Sequence, residues 1–499
     1  MKYTMGIDVG THQSKGVLVN ELGNVVLSVS TSHPLLNPKP NYFEHDADKH
    51  WWNDVCYISK KLIQNSNVNP EDISAIGISA LGADCLPVDK DGKPLRNAIL
   101  YGIDARATDE IDWLNDHWKE DRIHMWFGRP LCSSDVLPKI LWIKRNEPEI
   151  YMKTHKFLTA SSYLTFKLTN EYVIDRFLGL ASFKPAYDSD GEINQHLINE
   201  ICHRDQLAIM KFSHEVVGYV TKEASEQTGL STKTKVIVGT DDSGAEAISC
   251  GIVSPKDTFM QLGSTMYLIV LTENQVIDSR LWNEPYIVPG VFDISAGTNT
   301  SGSIIEWAKR ELYSNIENEV ELYAKINEDL SNIEPLKHGL LVLPYFAGER
   351  TPIHDPMAKG CILGLTLSTT KQEILYALVE GVCLSIAHHF EILDELSVPT
   401  SRIIVAGGGT NNEIWMQLLS NILQKELHVP KVSIGACYGD ALMALMASGI
   451  IKDYHEIHKY VEIEKSYSPD LNLEEFYSKK LKLFKSLYNQ TKGIMTELS

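Results

Sequence analysis

The first residues carry short apolar runs, each cut by small or polar residues. Tyr3–Val9 is apolar until Gly10-Thr11, Gly16–Val19 resumes the run, Glu21–Asn24 reads as a turn, and Val25–Ser30 alternates. Runs of this length with hairpin-sized breaks predict an antiparallel meander of short strands. After Asp46 the period becomes helical, with Trp51, Val55, Ile58 and Leu62 on one face and Asp46 placed as N-cap. Ile73–Ser79 fits a buried strand, and Asn97–Leu100 begins another. A meander leading into strand–helix units predicts an α/β domain on a mixed sheet.

The opening pattern returns later. Lys235–Gly239 is a short apolar strand ending at Thr240-Asp241-Asp242, and Thr258–Gly263 and Met266–Thr272 flank the small-residue turn Gly263-Ser264-Thr265. The recurrence predicts two related halves, residues 1–244 and 245–499, facing across a cleft, with the boundary near 244–256. Ile403–Ala406 then runs into Gly407-Gly408-Gly409 and a helix carrying Ile414, Leu418, Leu419 and Ile422; Gly435–Asp440 opens another. Near the end, Phe476, Leu483, Phe484, Leu487 and Tyr488 form one helical stripe, the docking face of a closing helix.

Composition narrows the class. The 499 residues are 43% apolar and 22% charged, enough for two or three domains with full cores. Sixty-five acids against 46 bases give a net charge of −19, which repels nucleic acid and anionic membranes. A polyphosphate site must then rely on backbone amides, a metal ion and a few placed cations. The eight cysteines are dispersed, with no CxxC pair, and read as small buried hydrophobes of a reducing compartment. An acid at position 8 is unlike a secretory signal, and no apolar run reaches the roughly 18 residues of a bilayer span. The expected location is cytoplasmic, with no nucleic-acid or membrane partner; a homodimer is compatible with this.

Phosphoryl transfer needs groups that cradle the β/γ-phosphates, an anchored Mg²⁺ and a base for the acceptor hydroxyl. Asp8-Val9-Gly10-Thr11 supplies one candidate loop: Gly10 admits an anion to backbone amides, Thr11 adds a hydroxyl, Asp8 can hold Mg²⁺, and Lys15 can reach a phosphate. It is no Walker loop, since GxxxxGK[ST] is absent, and by itself it is equally an ordinary turn. Gly263-Ser264-Thr265 is its counterpart, and Gly407–Gly409 permits close approach of backbone to a nucleotide. Asp241 ends a strand, where α/β sites sit, and is the expected base; Asp242 or Ser243 is the expected cap of the helix that follows.

Together these residues resemble the FGGY carbohydrate kinases. Asp8–Thr11 matches the family's first phosphate motif, and Ser134–Asn146, with Lys139–Ile143, resembles its first signature except at Val136. Gly360–Leu365 with Glu373-Ile374 and Ala377–Glu380 fits the second signature, and Gly348–Pro352 is similar to a stretch beside the cleft of xylulose kinases. The resemblance implies a ribonuclease-H/actin-like fold in each half, ATP held mainly by the second half and sugar by the first. It implies Asp241 as catalytic base, sharing Mg²⁺ with Asp8. It places adenine near Gly302, Ser303, Ile305 and Glu306, and near Gly408, Gly409 and Asn412. Where glycerol kinases carry Arg-Glu and xylulose kinases Met-His, this chain has Gly82-Ala83. Glycerol is therefore disfavoured, a ketose is favoured, and Asp84, Asp104 and Arg106 become candidate hydroxyl-binding groups; Arg106 can equally pair with Asp104. The expected reaction is ATP plus a ketose such as a pentulose giving sugar phosphate and ADP. The alternatives are another polyol or sugar acid, or an actin/Hsp70-like ATPase without sugar.

Overall fold

The computed structural model describes residues 1–127 and 129–498. The opening meander forms as β1 (Tyr3–Val9), β2 (Gln13–Asn20) and β3 (Val25–Ser32), antiparallel in sequence. Asp46 caps a short helical turn that runs into α1 (Asn53–Ser66), and β4 (Ile73–Ala80) then lies parallel to β1. The helix α2 (Val136–Asn146) carries the first signature. Further on, β5 (Val216–Tyr219), β6 (Lys235–Ile237) and β7 (Thr240–Asp241) complete a sheet ordered β5-β6-β4-β1-β2-β3, with β7 also on β4. The expected strand Lys235–Gly239 breaks at Gly239, whose φ of 79° only glycine adopts without strain. The chain then enters α3 (Asp242–Ser249) directly. That helix covers the 244/245 division expected from sequence.

The second half repeats the plan. Strands β8 (Asp257–Leu262) and β9 (Met266–Thr272) form the hairpin, followed by β10 (Trp282–Pro285), β11 (Phe292–Thr298) and helix α4 (Gly302–Leu312). After α5 (Lys371–Glu395) come β12 (Arg402–Ala406), α6 (Glu413–Leu423), β13 (Leu427–Pro430), α7 (Ala436–Ala447), β14 (Ile463–Tyr467) and α8 (Glu474–Glu497). The order is β10-β11-β9-β8-β12-β13-β14, and β12 lies parallel to β8 as β4 does to β1. Each first strand is therefore flanked by its own hairpin partner and by a parallel crossover strand.

Helix α5 is long and apolar enough to cross a membrane, but 83% of its most apolar stretch is buried in the core. On α8 the docking stripe is Tyr477, Phe484, Leu487 and Tyr488; Leu483, expected on it, is 51% exposed.

Each half has its own core, and a third fills the space between the sheets, joining Val17, Ile237, Ile248, Phe259, Ile404 and Leu442. Helices α3 and α7 occupy that layer, and α7 rests on β1 and β4 although it belongs to the second half of the chain. Three glycines set the spacing. A Cβ on Gly6 would lie 1.9 Å from Cys437 O, one on Gly77 2.7 Å from Asp440 O, and one on Gly439 1.9 Å from Ala245 O. No rotamer relieves contact with a backbone carbonyl, so Gly439→Ala should destabilise the protein by about 3 kcal/mol, read as a lowered urea midpoint.

Candidate active site

The turns between β1 and β2 and between β8 and β9 point into the same cleft. In the first, Gly10 N–H donates to Gln13 O at 3.0 Å, and a Cβ at Gly10 would meet that oxygen at 3.0 Å. Thr11 Oγ1 lies 2.9 Å from Tyr101 Oη, so the loop touches the segment expected to flank the acceptor. Lys15 stands across the hairpin from Asp8 and is exposed. In the second turn Gly263 N–H donates to Thr265 O, and Gly302 N–H returns to Gly263 O at 2.8 Å; Ser264 and Thr265 are exposed. Beneath it Arg350 Nη2 donates to Thr298 O, and buried Glu349 accepts from Asn299 N–H.

Beside the second turn lies a cavity of about 480 Å³, of nucleotide size. Eight of the residues expected around ATP line it: Gly263, Ser264, Gly302, Ile305, Glu306, Gly408, Gly409 and Asn412. Gly407 takes φ 94° with its open side against Leu262 O, while nothing stands within 4 Å of Gly408 on the side a Cβ would occupy. Asn412 caps α6 through Trp415 N–H and donates to Asn327 Oδ1. Ile305, Tyr323, Ile326 and Trp415 add the apolar walls that a purine ring needs. Tyr323, Ile326, Asn327 and Trp415 escaped the sequence reading, because single residues of ordinary helices carry no motif.

The cleft floor is acidic. Asp241 is itself the N-cap of α3, its Oδ1 accepting from Gly244 N–H at 2.8 Å and its Oδ2 from Ser243 Oγ at 2.9 Å. This corrects the expectation of a cap at Asp242 or Ser243: the bend at Gly239 brings the helix start one residue earlier. Burial first, then Asp242, holds the Asp241 carboxyl well above the ordinary carboxylate range. Burial raises Asp242 to about 6; burial with Asp242 raises Glu246 to about 7, against Lys15. Asp8 is pushed up to about 8 by burial, Asp242 and Glu246, with Ser79 and Lys15 opposing. Asp440 arrives from α7: its Oδ2 accepts from Ser79 N–H at 3.0 Å and Ser79 Oγ at 2.6 Å, and Ser79 Oγ also lies 3.2 Å from Asp8 Oδ1. Glu246 and Asp440 carry no site signal in the sequence because only the fold gathers them, whereas Asp242 stands beside Asp241 and is expected there as a cap.

The acceptor side is built from backbone. A Cβ on Gly82 would lie 3.1 Å from Asp241 Cβ and 3.2 Å from Asp241 Oδ2, so this residue abuts the carboxylate. Ala83 sits in the left-handed region at φ 58°. Buried Lys139 holds it, donating to Ala83 O at 3.0 Å, Ser133 O at 2.5 Å and Asp135 O at 3.1 Å. Asp84 is fully buried, no side chain among the described residues hydrogen-bonds its oxygens, and burial raises it to about 8 against its own and the Ala160 backbone N–H. Asp104 and Arg106 are spent on each other. Arg106 donates to Asp104 through Nε and Nη2 and to Glu44 Oε1 through Nη1, and packs over Tyr42.

Asp8 and Asp241 are hard oxygen donors, and burial with neighbouring acids raises both carboxyls, which a cation would relieve. Among the described residues no three acidic, histidine or cysteine side chains converge as a full ligand set. Mg²⁺ commonly takes only one or two carboxylates and keeps its waters, so the pair fits it.

Comparison with known proteins gives the family. The N-terminal domain model of the FGGY family of carbohydrate kinases matches residues 3–249 and its C-terminal domain model residues 259–448. The chain is 28% identical to the xylulose kinase of Bacillus subtilis over 517 aligned residues, covering 100% of this chain and 99% of that one. It is 26% identical to the xylulose kinase of Escherichia coli, covering 98% and 99%. The crystal structure of xylulose kinase from Rhodospirillum rubrum superposes with a TM-score of 0.91 at 26% identity, covering 99% of this chain and 100% of that one.

The raised carboxyls carry a stability signature. A carboxyl whose folded pKa lies above its unfolded value binds more protons when folded, so its contribution is full below about pH 4 and lost as pH rises to about 8. Asp8→Asn should raise the thermal midpoint of the ligand-free protein by ~2–4 °C at pH 8 and leave it unchanged at pH 4, by calorimetry.

Proposed function

From a chain that belongs to the FGGY family of carbohydrate kinases, and is thus an ATP-dependent sugar kinase, we propose a ketose kinase acting on a pentulose of the xylulose or ribulose type. The observation that carries the reading is the position of Asp241, against the Gly82 backbone on one side and beside Asp242 on the other, with Asp440 within electrostatic reach of both Asp241 and Asp8. Asp241 takes the proton of the attacking hydroxyl. A carboxyl held above its usual range is a stronger base than a free one, which suits proton removal near neutral pH. Thr11, Lys15, Ser264 and Thr265 hold the transferring phosphoryl group, and the cavity beside α4 and α6 holds the nucleoside. When bound at Asp8 and Asp241, Mg²⁺ neutralises charge on the phosphate oxygens. No covalent enzyme intermediate is required, so positioning and charge stabilisation supply the rate.

The floor also discriminates among acceptors. Asp241 and Asp242 present negative charge, while Arg106 and Lys139 are occupied inside the protein. An aldonate would bring its carboxylate to a floor where Arg106 and Lys139 are already paired and Lys15 is committed to the phosphates, so a neutral ketose is favoured over a sugar acid.

Asp241→Asn should lower sugar-dependent ADP formation about 10²- to 10⁴-fold while ATP still binds by calorimetric titration; turnover near wild type would remove Asp241 from the mechanism. Because Asp242 raises the Asp241 carboxyl, Asp242→Asn should move the acid limb of kcat/KM to lower pH. In a coupled ADP-release screen, D- and L-pentuloses should exceed glycerol and gluconate; gluconate as the best acceptor would overturn the ketose assignment.

A further inference from the structure

Behind the Gly10–Gln13 turn lies a buried histidine that the reaction above leaves without a task. His33 directly follows β3, its side chain 3% exposed. Its backbone N–H donates to His12 O at 3.0 Å, and its ring Nε2 lies 3.0 Å from Gly10 O. Ring Nδ1 lies 2.8 Å from Asp54 Oδ2, which also accepts from Ser14 Oγ at 2.7 Å. One residue thus grips the turn twice, and Asp54 ties that grip to α1 and β2. The rings of His45, edge-on at 4.8 Å, and His50, stacked at 5.6 Å, fix the ring plane.

Two elementary constraints give this arrangement a consequence. A carbonyl and an ionised carboxylate only accept, so both ring contacts are hydrogen bonds only if the His33–Asp54 couple holds two protons. Within a trans peptide the C=O and the next N–H point in opposite directions. Drawing Gly10 O inward onto His33 therefore turns Thr11 N–H outward, toward the cleft. Thr11 N–H makes no hydrogen bond among the described residues, so it is a free donor on the loop.

We propose that His33, oriented by Asp54, is a positioning residue for phosphoryl transfer, fixing the Gly10–Thr11 peptide with its N–H toward the β/γ-phosphates of ATP. This rests on the reading of Asp8–Thr11 as a phosphate loop. His33 itself contacts no acceptor-side residue, and the loop reaches that side only through Thr11 Oγ1 and Tyr101 Oη, so the larger effect should fall on ATP.

His33→Ala should raise KM for ATP at least fivefold and lower kcat at least tenfold, with KM for the sugar within twofold. His33→Gln can still donate to Gly10 O but turns its own carbonyl toward Asp54, and should stay at least fivefold below wild type in kcat/KM for ATP. Adding Asp54→Asn supplies an N–H to that carbonyl and rebuilds an uncharged chain, so the double variant should return to within threefold of wild type. A purely structural role would lower the folded fraction without this recovery. The proposal is overturned if His33→Ala moves KM for ATP and kcat by less than twofold, if the sugar KM rises equally, or if Asp54→Asn brings no recovery. Should His33→Ala fail to fold, the two His33→Gln proteins decide alone. Lys15→Ala separates the premises: an unchanged KM for ATP there sinks the phosphate loop itself. A raised KM there with no effect at His33 sinks only the positioning role.

Discussion

Everything in the cleft follows from how closely two helices lie against two sheets. Gly6, Gly77 and Gly439 sit where a single methyl would strike a backbone carbonyl at 1.9 to 2.7 Å. Because α7 comes from the second half of the chain yet rests on the first sheet, its depth fixes where the second sheet stands. That in turn fixes the separation of the Gly10–Gln13 and Gly263–Thr265 turns. A cleft shaped by missing side chains tolerates no compromise in them, since backbone cannot change rotamer.

The same closeness crowds carboxylates. Asp242 acts on Asp8, Asp241 and Glu246, Asp440 reaches in from α7 through Ser79, and Lys15 offsets Asp8 and Glu246. Such a group weakens the ligand-free fold, since each burial raises the cost of its neighbours' charge. What relieves it is positive charge arriving with the substrate, or protons. The strain is thus confined to residues with chemical work to do, as functional sites allow. Lys139 shows the opposite economy: a fully buried ammonium, it is matched by three carbonyl oxygens and holds a loop rather than a ligand.

The division between legible and illegible runs along range of interaction. The meander, the second hairpin and the glycine turn at Gly407–Gly409 were readable because local period and turn chemistry define them. The lining of the cavity beside α4 and α6 was largely readable too, since backbone glycines leave a sequence trace. The cap of α3 was misread by a residue, because the bend at Gly239 is a property of packing against β4. Leu483 fell on the expected stripe but faces solvent, where α8 turns Tyr477 inward instead. Asp440 and His33 could not have been read as parts of the site. Each acts through atoms dozens to hundreds of positions away, and nothing near them in the chain differs from an ordinary helix or strand end.

The acceptor side is the least legible because it is made of absences. Gly82 offers no side chain against Asp241, and Ala83 contributes only a methyl while its backbone adopts a left-handed conformation that costs a non-glycine residue about 1 kcal/mol. That cost is borne because Lys139 fixes the Ala83 carbonyl and α2 fixes Lys139. Polar grips are missing at 82 and 83, and Asp104 and Arg106 are closed on each other. A pocket of this kind selects by shape and charge more than by a dedicated pair of side chains. Its discrimination between neutral sugars of similar size should accordingly be modest, while its rejection of anions should be steep.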